Sequence, residues 1–157
     1  FRRLAARRPR ALLVYAGDGE LRAAVEAKVA AHPGLGDRVR LLGWRRDVPR
    51  LIAAADVVTL SSLFEGLPRA AVQALAARRP FVGTRVNGTP EVIRDGDNGF
   101  LVPPRDPEAL AGALSRALET RPVDPADAER VQAWDADTMV RAQEDIYDEL
   151  LDSSRPP

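Results

Sequence analysis

The sequence contains no cysteine and a single histidine, His32, among its 157 residues. This scarcity excludes a disulfide framework, a cysteine metal site and a metal centre built from several histidines. Basic and acidic side chains number 23 each, so the charge balance argues against a dedicated nucleic-acid or membrane-surface protein. No apolar run approaches the roughly 20 residues that span a bilayer as a helix. We therefore expect a protein of the cytoplasm that binds no nucleic acid.

Lysine is nearly absent as well, because Lys28 is the only one and the other basic residues are arginine. Together with the richness in alanine, this indicates a GC-rich coding genome and favours a bacterial source. The length of 157 residues is enough for one domain with its own core. We expect that domain to occupy residues 1–151 and a tail to occupy residues 152–157.

Short apolar runs alternate along the chain with segments of helical periodicity. The predicted strands are residues 11–16, 38–42, 57–60, 81–84 and 100–102. The clearest helix start follows the fifth predicted strand, where Asp106 is an N-cap and Pro107 occupies the first helical position. Strands that alternate with helices predict an α/β, Rossmann-like fold with a parallel sheet covered by helices on both faces. Ligands of such sheets bind at the carboxyl ends of the strands, where the strand order reverses.

The apolar pattern also predicts which faces are buried. The strand at 11–16 is predicted to be buried, and the arginines of residues 1–9 are predicted to form a solvated face. Three further helices are predicted from residues that repeat at helical spacing. The sets are Leu21, Ala24, Val25, Lys28 and Val29; Leu110, Leu114, Ala117 and Leu118; and Met139, Val140, Ile146, Tyr147, Leu150 and Leu151.

Residues 61–76, SSLFEGLPRAAVQALA, join a predicted strand to a predicted helix and carry the clearest functional signal. Glu65 and Gly66 stand in the connecting loop, and Pro68 is predicted at the first helical position. The predicted buried face of this helix consists of Val72, Leu75 and Ala76. A strand, a tight loop and a helix start together aim backbone N–H groups at an anion. Gln73 would lie about two turns into the helix on the same side as Glu65, so the set suits a ligand with phosphate and hydroxyls.

The order of motifs along the chain resembles the donor-binding domain of family 4 retaining glycosyltransferases. The signature is a serine, then Glu65-Gly66-Leu67-Pro68, then an acid or amide eight residues after the glutamate. Further segments fit the same family, namely GDGELR at 17–22, GWRRDVP at 43–49, RPFVGT at 79–84, NGTPEVI at 87–93, DGDNGFLVPP at 95–104 and DPEAL at 106–110. The resemblance covers about residues 11–151, and it is specific because several motifs occur in the right order.

The resemblance implies the C-terminal, donor-binding half of an enzyme of GT-B architecture. Such an enzyme is a retaining hexosyltransferase, which moves a hexose from a nucleoside-diphosphate sugar to an acceptor hydroxyl. It needs no metal ion and no other cofactor. The missing partner would be an N-terminal acceptor-binding domain, and peripheral association of the full enzyme with a membrane stays open.

The family's sheet normally opens with a central strand and a loop whose arginine and lysine hold the donor diphosphate. Phe1 begins after that point, so we expect a truncated domain that lacks its first strand. The strands at Ala11 and Val57 would then lose their shared pairing partner. We expect the piece alone to transfer no sugar and to bind the donor no more tightly than about the millimolar range.

The resemblance also assigns roles to the loop after the third strand. Glu65 is expected to be the catalytic carboxylate, which accepts hydrogen bonds from the hydroxyls of the donor sugar. The amides of Gly66 and Leu67 would bind sugar and phosphate, and Ser62 belongs to the same donor-binding set. The alternative for Glu65 is a purely structural role, in which its charge stabilises a helix N-terminus by roughly 0.3–1 kcal/mol.

Gln73 departs from the family, where this position is usually a glutamate that holds the ribose hydroxyls. An amide offers one uncharged acceptor oxygen, so Gln73 would bind ribose less strongly, and a plain surface residue is an equal alternative. Arg45 and Asp47 would contact the nucleobase by resemblance, although a charged connecting loop at 43–50 would explain them too. The turn at 87–89 either lines the floor of the pocket or only connects a strand to a helix.

Two other functions stay open at this point. A non-catalytic module that binds a nucleotide sugar with the same fold would explain the exchange at Gln73. An unrelated Rossmann nucleotide-binding domain, such as a sugar-nucleotide epimerase, would need a dinucleotide fingerprint, and its third glycine would fall at Arg22. Arg78 and Arg79 replace the alanine and glycine that are usual in the family, and the sequence offers no reason for them.

Overall fold

The computed structural model describes residues 1–120 and 122–153. Its strands are β1 (Leu13–Ala16), β2 (Val39–Gly43), β3 (Val58–Leu60), β4 (Phe81–Thr84) and β5 (Gly99–Val102). Its helices are α1 (Arg2–Arg7), α2 (Arg22–Ala30), α3 (Val48–Ala54), α4 (Arg69–Ala76), α5 (Thr89–Val92), α6 (Pro107–Ala117), α7 (Pro125–Arg130) and α8 (Ala136–Ser153). Short 3-10 turns at Gly36–Arg38 and Val131–Trp134 precede β2 and α8.

The strands form two parallel sheets. β1 pairs with β2 in one sheet, and β4 lies between β3 and β5 in the other. The predicted α/β fold with parallel strands is therefore confirmed. In the described part of the chain, β1, β2, β3 and β5 each have one edge without a partner strand. β1 and β3, the strands predicted at Ala11 and Val57, are among these four, and that they lack a shared neighbour stays a prediction.

The sheet of β3, β4 and β5 is covered by helices on both faces, because its side chains alternate between two apolar clusters. Phe81 and Leu101 point to one face, where they meet Ala71, Ala74 and Leu75 of α4 together with Val92, Ile93, Val123 and Val131. Val82 and Val102 point to the other face and meet Ala113 and Ala117 of α6. Phe81 and Val82 are both fully buried, which makes β4 the centre of the core.

The smaller sheet is far less covered than the sequence predicts. The strand predicted at 11–16 begins at Leu13, and Val14 and Tyr15 are 45% and 52% exposed instead of buried. The helix that follows, α2, has no buried residue, and Leu21 before it is 74% exposed. The physical reason is that neither apolar cluster includes a residue of β1 or β2, whereas β4 packs against α4 on one face and against α6 on the other.

The buried faces of α4 and α6 consist mainly of alanine, which corrects the predicted stripes. On α4 the buried residues are Ala71, Ala74 and Leu75, while Val72 is half-buried and Ala76 is exposed. On α6 they are Ala111, Ala113 and Ala117, whereas Leu118 is exposed. Small side chains let a helix approach a sheet closely, so they take the central positions of the contact and larger residues lie at its margin.

The predicted starts of these two helices have different outcomes. Asp106 caps α6 as expected, since its carboxylate accepts hydrogen bonds from the N–H groups of Glu108 and Ala109. Pro68, in contrast, is the N-cap of α4 and not its first helical residue. The carbonyl of Pro68 already accepts from Ala71, so the helix begins one residue later than predicted.

The arginines Arg2, Arg3 and Arg7 are exposed, in agreement with the solvated face predicted for them, and most of these basic side chains also have acidic partners. Arg3 and Arg7 both bind Glu108, and Arg8 binds Glu119. Arg38, next to β2, donates to the carbonyls of Ala5 and Arg8 at the end of this helix and to the carbonyl of Ala11 in the segment before β1. Side chains of α1 and Arg38 therefore connect the smaller sheet to the layer that covers the larger one.

The last helix, α8, has the predicted apolar stripe, but the stripe is exposed in the described structure. Met139, Ile146 and Tyr147, for example, are more than half exposed. The tail expected at residues 152–157 begins inside α8, which runs to Ser153, and residues 154–157 lie outside the described residues. Among the described helices, α8 included, none is long and apolar enough to cross a bilayer.

Arg78 and Arg79 end α4, and the structure explains both. Arg78 has a φ of 56°, in the left-handed region, and the N–H groups of both arginines donate to carbonyls in the last turn of the helix. A glycine adopts this conformation without strain. The Arg78 side chain offsets the strain, because its Nε donates to the carbonyl of Val123 at 3.0 Å. Arg79 donates to the carbonyl of Ala53, at the end of α3, at 2.6 Å.

Two arginines, Arg78 and Arg105, have left-handed backbone conformations, and comparison of them gives a stability prediction. Arg105 has a similar φ of 62° and is exposed, and its guanidinium has no hydrogen-bond or ion-pair partner in the described part of the chain. We expect Arg105→Gly to raise the free energy of unfolding by about 0.5–1 kcal/mol, because the relief of left-handed strain exceeds the entropy that glycine adds to the unfolded chain. Arg78→Gly should give no net gain, because it also loses a hydrogen bond of about 1 kcal/mol. Chemical denaturation measures both, and a larger gain for Arg78→Gly would contradict this account.

Candidate functional site

The loop between β3 and α4 carries the predicted signature at the carboxyl end of the larger sheet. Ser62 and Glu65, both predicted site residues, lie together, because the Ser62 hydroxyl donates to Oε1 of Glu65 at 2.6 Å. Both side chains are partly buried. The loop is also tied to the next strand, since the Thr84 hydroxyl donates to the carbonyl of Ser62 at 2.5 Å. One carboxylate is thus held at the entrance of α4.

Backbone donors lie next to this carboxylate. The N–H groups of Gly66 and Leu67 have no hydrogen-bond partner among the described residues, and both residues are exposed. Pro68, which follows them, is fully buried and fixes the chain where it enters α4. The arrangement therefore presents free N–H groups and one carboxylate on the same short loop, which suits an anionic ligand that also carries hydroxyls.

Gly88 packs directly against this loop. A Cβ atom at Gly88 would overlap the carbonyl oxygen of Gly66 and lie 2.8 Å from its carbonyl carbon. The φ of Gly88 is −68°, so glycine is required here for space and not for backbone conformation. Asn87, which precedes it, has a φ of 29° and turns the chain toward the loop. The turn at 87–89 therefore does not only connect a strand to a helix, because Gly88 packs against the peptide of Gly66.

Arg45 and Asp47, predicted to contact a nucleobase, bind each other in the loop after β2. The guanidinium donates from Nε to Oδ1 at 2.8 Å and from Nη2 to Oδ2 at 2.7 Å, a two-point contact. These hydrogen bonds lower the pKa of the Asp47 carboxyl and raise that of Arg45. A ligand at this loop would meet a neutral pair with a fixed orientation.

Trp44 is a feature of the same loop that sequence reasoning did not single out. Its side chain is 68% exposed, and the guanidinium of Arg46 lies 5.4 Å from the ring centroid. A large aromatic residue directly after the glycine that ends a strand is the signal that could have identified it. An exposed aromatic ring beside an arginine offers a flat surface for a planar group.

Gln73 lies on an exposed face of α4, and within the described residues its side chain makes no hydrogen bond to Glu65 or to any other residue. The structure therefore brings together Ser62, Glu65 and Gly66, but it does not connect Gln73 to them. In residues 1–120 and 122–153, no group of three or more His, Cys, Asp or Glu side chains is arranged to hold a metal ion. That no metal takes part stays a prediction.

Two depressions open at opposite ends of the strands. One, of about 440 Å³, lies at the carboxyl end of β1 and is lined by Tyr15, Gly17 and Arg22 among others. The other, of about 250 Å³, lies at the amino ends of β4 and β5 beside Pro80 and Gly99. Only the first shares the sheet end on which ligands of parallel α/β proteins bind.

Comparison with known proteins identifies the family. The family described as "Glycosyl transferases group 1" matches residues 1–120, about three quarters of the chain. The chain belongs to the group 1 glycosyl transferases. Its fold and the order of its motifs agree with that family, and the solved structures that it resembles have the GT-B architecture. The expected resemblance is therefore confirmed.

Curated relatives of this group 1 chain are transferases. It is 33% identical over 113 residues to UDP-Gal:alpha-D-GlcNAc-diphosphoundecaprenol alpha-1,3-galactosyltransferase of Escherichia coli. The aligned region covers 72% of this chain and 29% of the relative. It is 38% identical over 109 residues to alpha-D-kanosaminyltransferase of Streptomyces kanamyceticus, covering 68% and 28%. The chain thus spans about three tenths of the length of these relatives.

Solved structures agree with the fold of this group 1 domain. Sucrose-phosphate synthase from Thermosynechococcus elongatus superposes with a TM-score of 0.84 at 27% identity, over 96% of this chain and 41% of that one. Anabaena Alr3699/HepE, solved in complex with UDP, gives a TM-score of 0.73 at 27% identity, over 96% and 43%.

The Arg45–Asp47 pair gives a prediction about titration. The pKa of Asp47 should lie below the ordinary value of about 3.9, and Arg45→Gln should raise it back toward that value. Because the pKa is lower in the folded state than in the unfolded state, the pair's contribution to stability is present above about pH 4 and is lost as the pH falls through the folded-state pKa. NMR titration of the Asp47 carboxyl measures the shift.

The matched control for that titration is Arg46→Gln. It removes a neighbouring arginine, which stacks on Trp44 and makes no hydrogen bond to Asp47 within the described structure. The pKa of Asp47 should stay low in this variant. An Asp47 pKa that is the same in wild type and in Arg45→Gln would contradict the pairing.

Proposed function

We propose that these residues form the donor-binding half of a retaining glycosyltransferase, which transfers a hexose from a nucleoside-diphosphate sugar to an acceptor hydroxyl. The observation that carries the proposal is the loop after β3, where the Glu65 carboxylate lies beside the free N–H groups of Gly66 and Leu67. Membership of the group 1 family and the solved complex of Anabaena Alr3699/HepE with UDP support a nucleotide sugar as the ligand.

Each part of the loop has a role in the proposed reaction. Cleavage of the bond between sugar and diphosphate needs stabilisation of the negative charge that develops on the leaving group. Free N–H groups at the start of α4 can donate to that phosphate, helped by the positive end of the helix dipole. Glu65 accepts hydrogen bonds from hydroxyls of the hexose and so orients the sugar. Ser62 keeps the carboxylate in place by its own hydrogen bond.

The nucleoside would extend from this loop toward the other sheet. The loop after β2 presents the Arg45–Asp47 pair and the exposed Trp44 ring. Both loops follow the carboxyl ends of parallel strands, which is where ligands of this kind of sheet bind. In this proposal Trp44 packs on the planar base, and the paired side chains offer hydrogen-bond partners at its edge.

Substitution of Glu65 tests the proposal. Glu65→Gln in the intact enzyme should lower turnover of the donor by the equivalent of about 1–3 kcal/mol, because hydrogen bonds to a charged acceptor are lost. The thermal midpoint should change little, since an amide oxygen can still accept from Ser62. Donor turnover and thermal unfolding are measured on the same preparation.

Glu129→Gln is the control for that experiment, because Glu129 is an exposed acid on α7, outside the loop. It should leave both quantities unchanged. Unchanged turnover in Glu65→Gln, or a large loss of stability, would count against the assigned role.

Gln73 favours a second candidate, a module that binds a nucleotide sugar without catalysis. Family members usually carry a glutamate at this position, and here the exposed amide makes no hydrogen bond in the described residues. If Gln73 reaches the ribose, Gln73→Glu should tighten binding of a nucleoside diphosphate, since a charged acceptor replaces a neutral one. If the diphosphate lies too close, like charges should weaken binding instead.

Calorimetric titration with UDP decides between these outcomes. Gln132→Glu is the matched control, because Gln132 is an exposed amide in the turn at Val131–Trp134. Equal affinity in wild type and Gln73→Glu would mean that Gln73 does not face the ligand. If the wild type transfers no sugar and Gln73→Glu does, the natural sequence would be a module that binds a nucleotide sugar without catalysis.

A further inference from the structure

The loop that carries Glu65 has little apolar packing of its own. Leu63 and Phe64, the two large apolar residues in it before Glu65, are 58% and 72% exposed. Burial of these side chains therefore cannot fix the loop. Pro68 is buried, but it stands three residues after Glu65, at the start of α4. Whatever fixes the position of this loop, and with it the Ser62–Glu65 contact, must come from another part of the fold.

The first restraint comes from the end of β4. The parallel ladder between β3 and β4 ends with Leu60 opposite Gly83. Beyond it, the hydroxyl of Thr84 donates to the carbonyl of Ser62 at 2.5 Å, and Thr84 is only 5% exposed. A side chain thus continues the strand pairing past the last backbone contact. Since Ser62 in turn donates to Glu65 at 2.6 Å, the restraint reaches the carboxylate through two hydrogen bonds.

The second restraint comes from the turn after β4. Gly88 is buried and packs against the Gly66 peptide, with no room for a side chain. Its N–H also donates to the carbonyl of Glu65 at 3.4 Å, a long hydrogen bond. Thr84 and Gly88 therefore contact the loop on both sides of the Glu65 side chain, one before it in sequence and one after it.

We propose that Thr84 and Gly88 are positioning residues, which hold the Glu65 carboxylate and the free amides of Gly66 and Leu67 in the geometry that binds the donor. For its effect on catalysis this inference rests on the proposed function. Misplacement of a binding group by about 1 Å can cost two orders of magnitude in rate, so a rigid support is worth as much as a direct contact. Neither residue touches the ligand in this proposal.

Thr84→Val tests the inference, because valine has the same shape and lacks the hydroxyl. We expect kcat/KM for the donor to fall about tenfold or more in the intact enzyme. Thr84→Ser keeps the hydroxyl and should restore most of the loss. Thr59→Val is the matched control on β3, since the buried Thr59 hydroxyl has no hydrogen-bond partner within the described residues, and it should leave kcat/KM unchanged.

Coupling to Glu65 separates positioning from a merely structural role. If Thr84 acts through the carboxylate, Thr84→Val combined with Glu65→Gln should be little worse than Glu65→Gln alone. Fully additive losses, or wild-type kcat/KM in Thr84→Val, would overturn the inference. Should Thr84→Val fail to fold, Gly88→Ala gives the same test, with Gly36→Ala as its control because nothing lies within 4 Å of a Cβ there.

Proteolysis of the native protein gives a readout that needs no ligand. Phe64 is an exposed chymotrypsin site within the loop, so cleavage after it reports how firmly the loop is held. The rate should rise severalfold in Thr84→Val and Gly88→Ala and stay constant in both controls. If wild type neither binds nor turns over a nucleotide sugar, the proposed function fails, and the cleavage rates alone decide the inference. Equal rates in all variants would overturn it.

Discussion

β4 is buried between two layers of helices, and the positions of the neighbouring strands and loops follow from this burial. Phe81 and Val82 are both completely buried, and they belong to different apolar clusters on opposite faces of the sheet. Because β4 is enclosed on both faces, its carboxyl end has a fixed position. That end supplies Thr84 and leads directly into Gly88, which are the residues that support the Glu65 loop. A well-packed interior thus determines the geometry of an exposed site.

The parts of the fold that depend on local chemistry could be predicted from the sequence. β4 has the limits expected from a short apolar run after a proline, and Asp106 caps α6 as its residue type and spacing indicate. The burial of β1 could not be predicted, because an apolar run shows that a strand suits an interior and not that other elements cover it. Likewise, periodicity locates the face of α4, but the close approach that favours Ala71 and Ala74 is a tertiary effect.

In the candidate site, too, some contacts follow from local sequence spacing and others depend on the tertiary fold. Ser62 and Glu65 lie three residues apart in one loop, so their contact follows from sequence spacing. The contact between Thr84 and that loop depends on the register of β4 against β3, which brings together residues more than 20 positions apart. The sequence also could not show that the Arg45 and Asp47 side chains bind each other. The register of neighbouring strands, once known, is the signal that would identify such supports.

In the described structure neither apolar cluster includes a residue of the smaller sheet, and this has a consequence for binding. One candidate loop follows β2 in the smaller, less covered sheet, and the other follows β3 in the larger one. Local opening is easier where fewer apolar contacts are buried, so the loop around Trp44 belongs to the less stable unit. A ligand that contacts both loops would therefore join a less stable part of the fold to a more stable one. Part of its binding free energy would go into ordering the less stable part, so the contacts of Arg38 and α1, which order that part beforehand, would raise the affinity without touching the ligand.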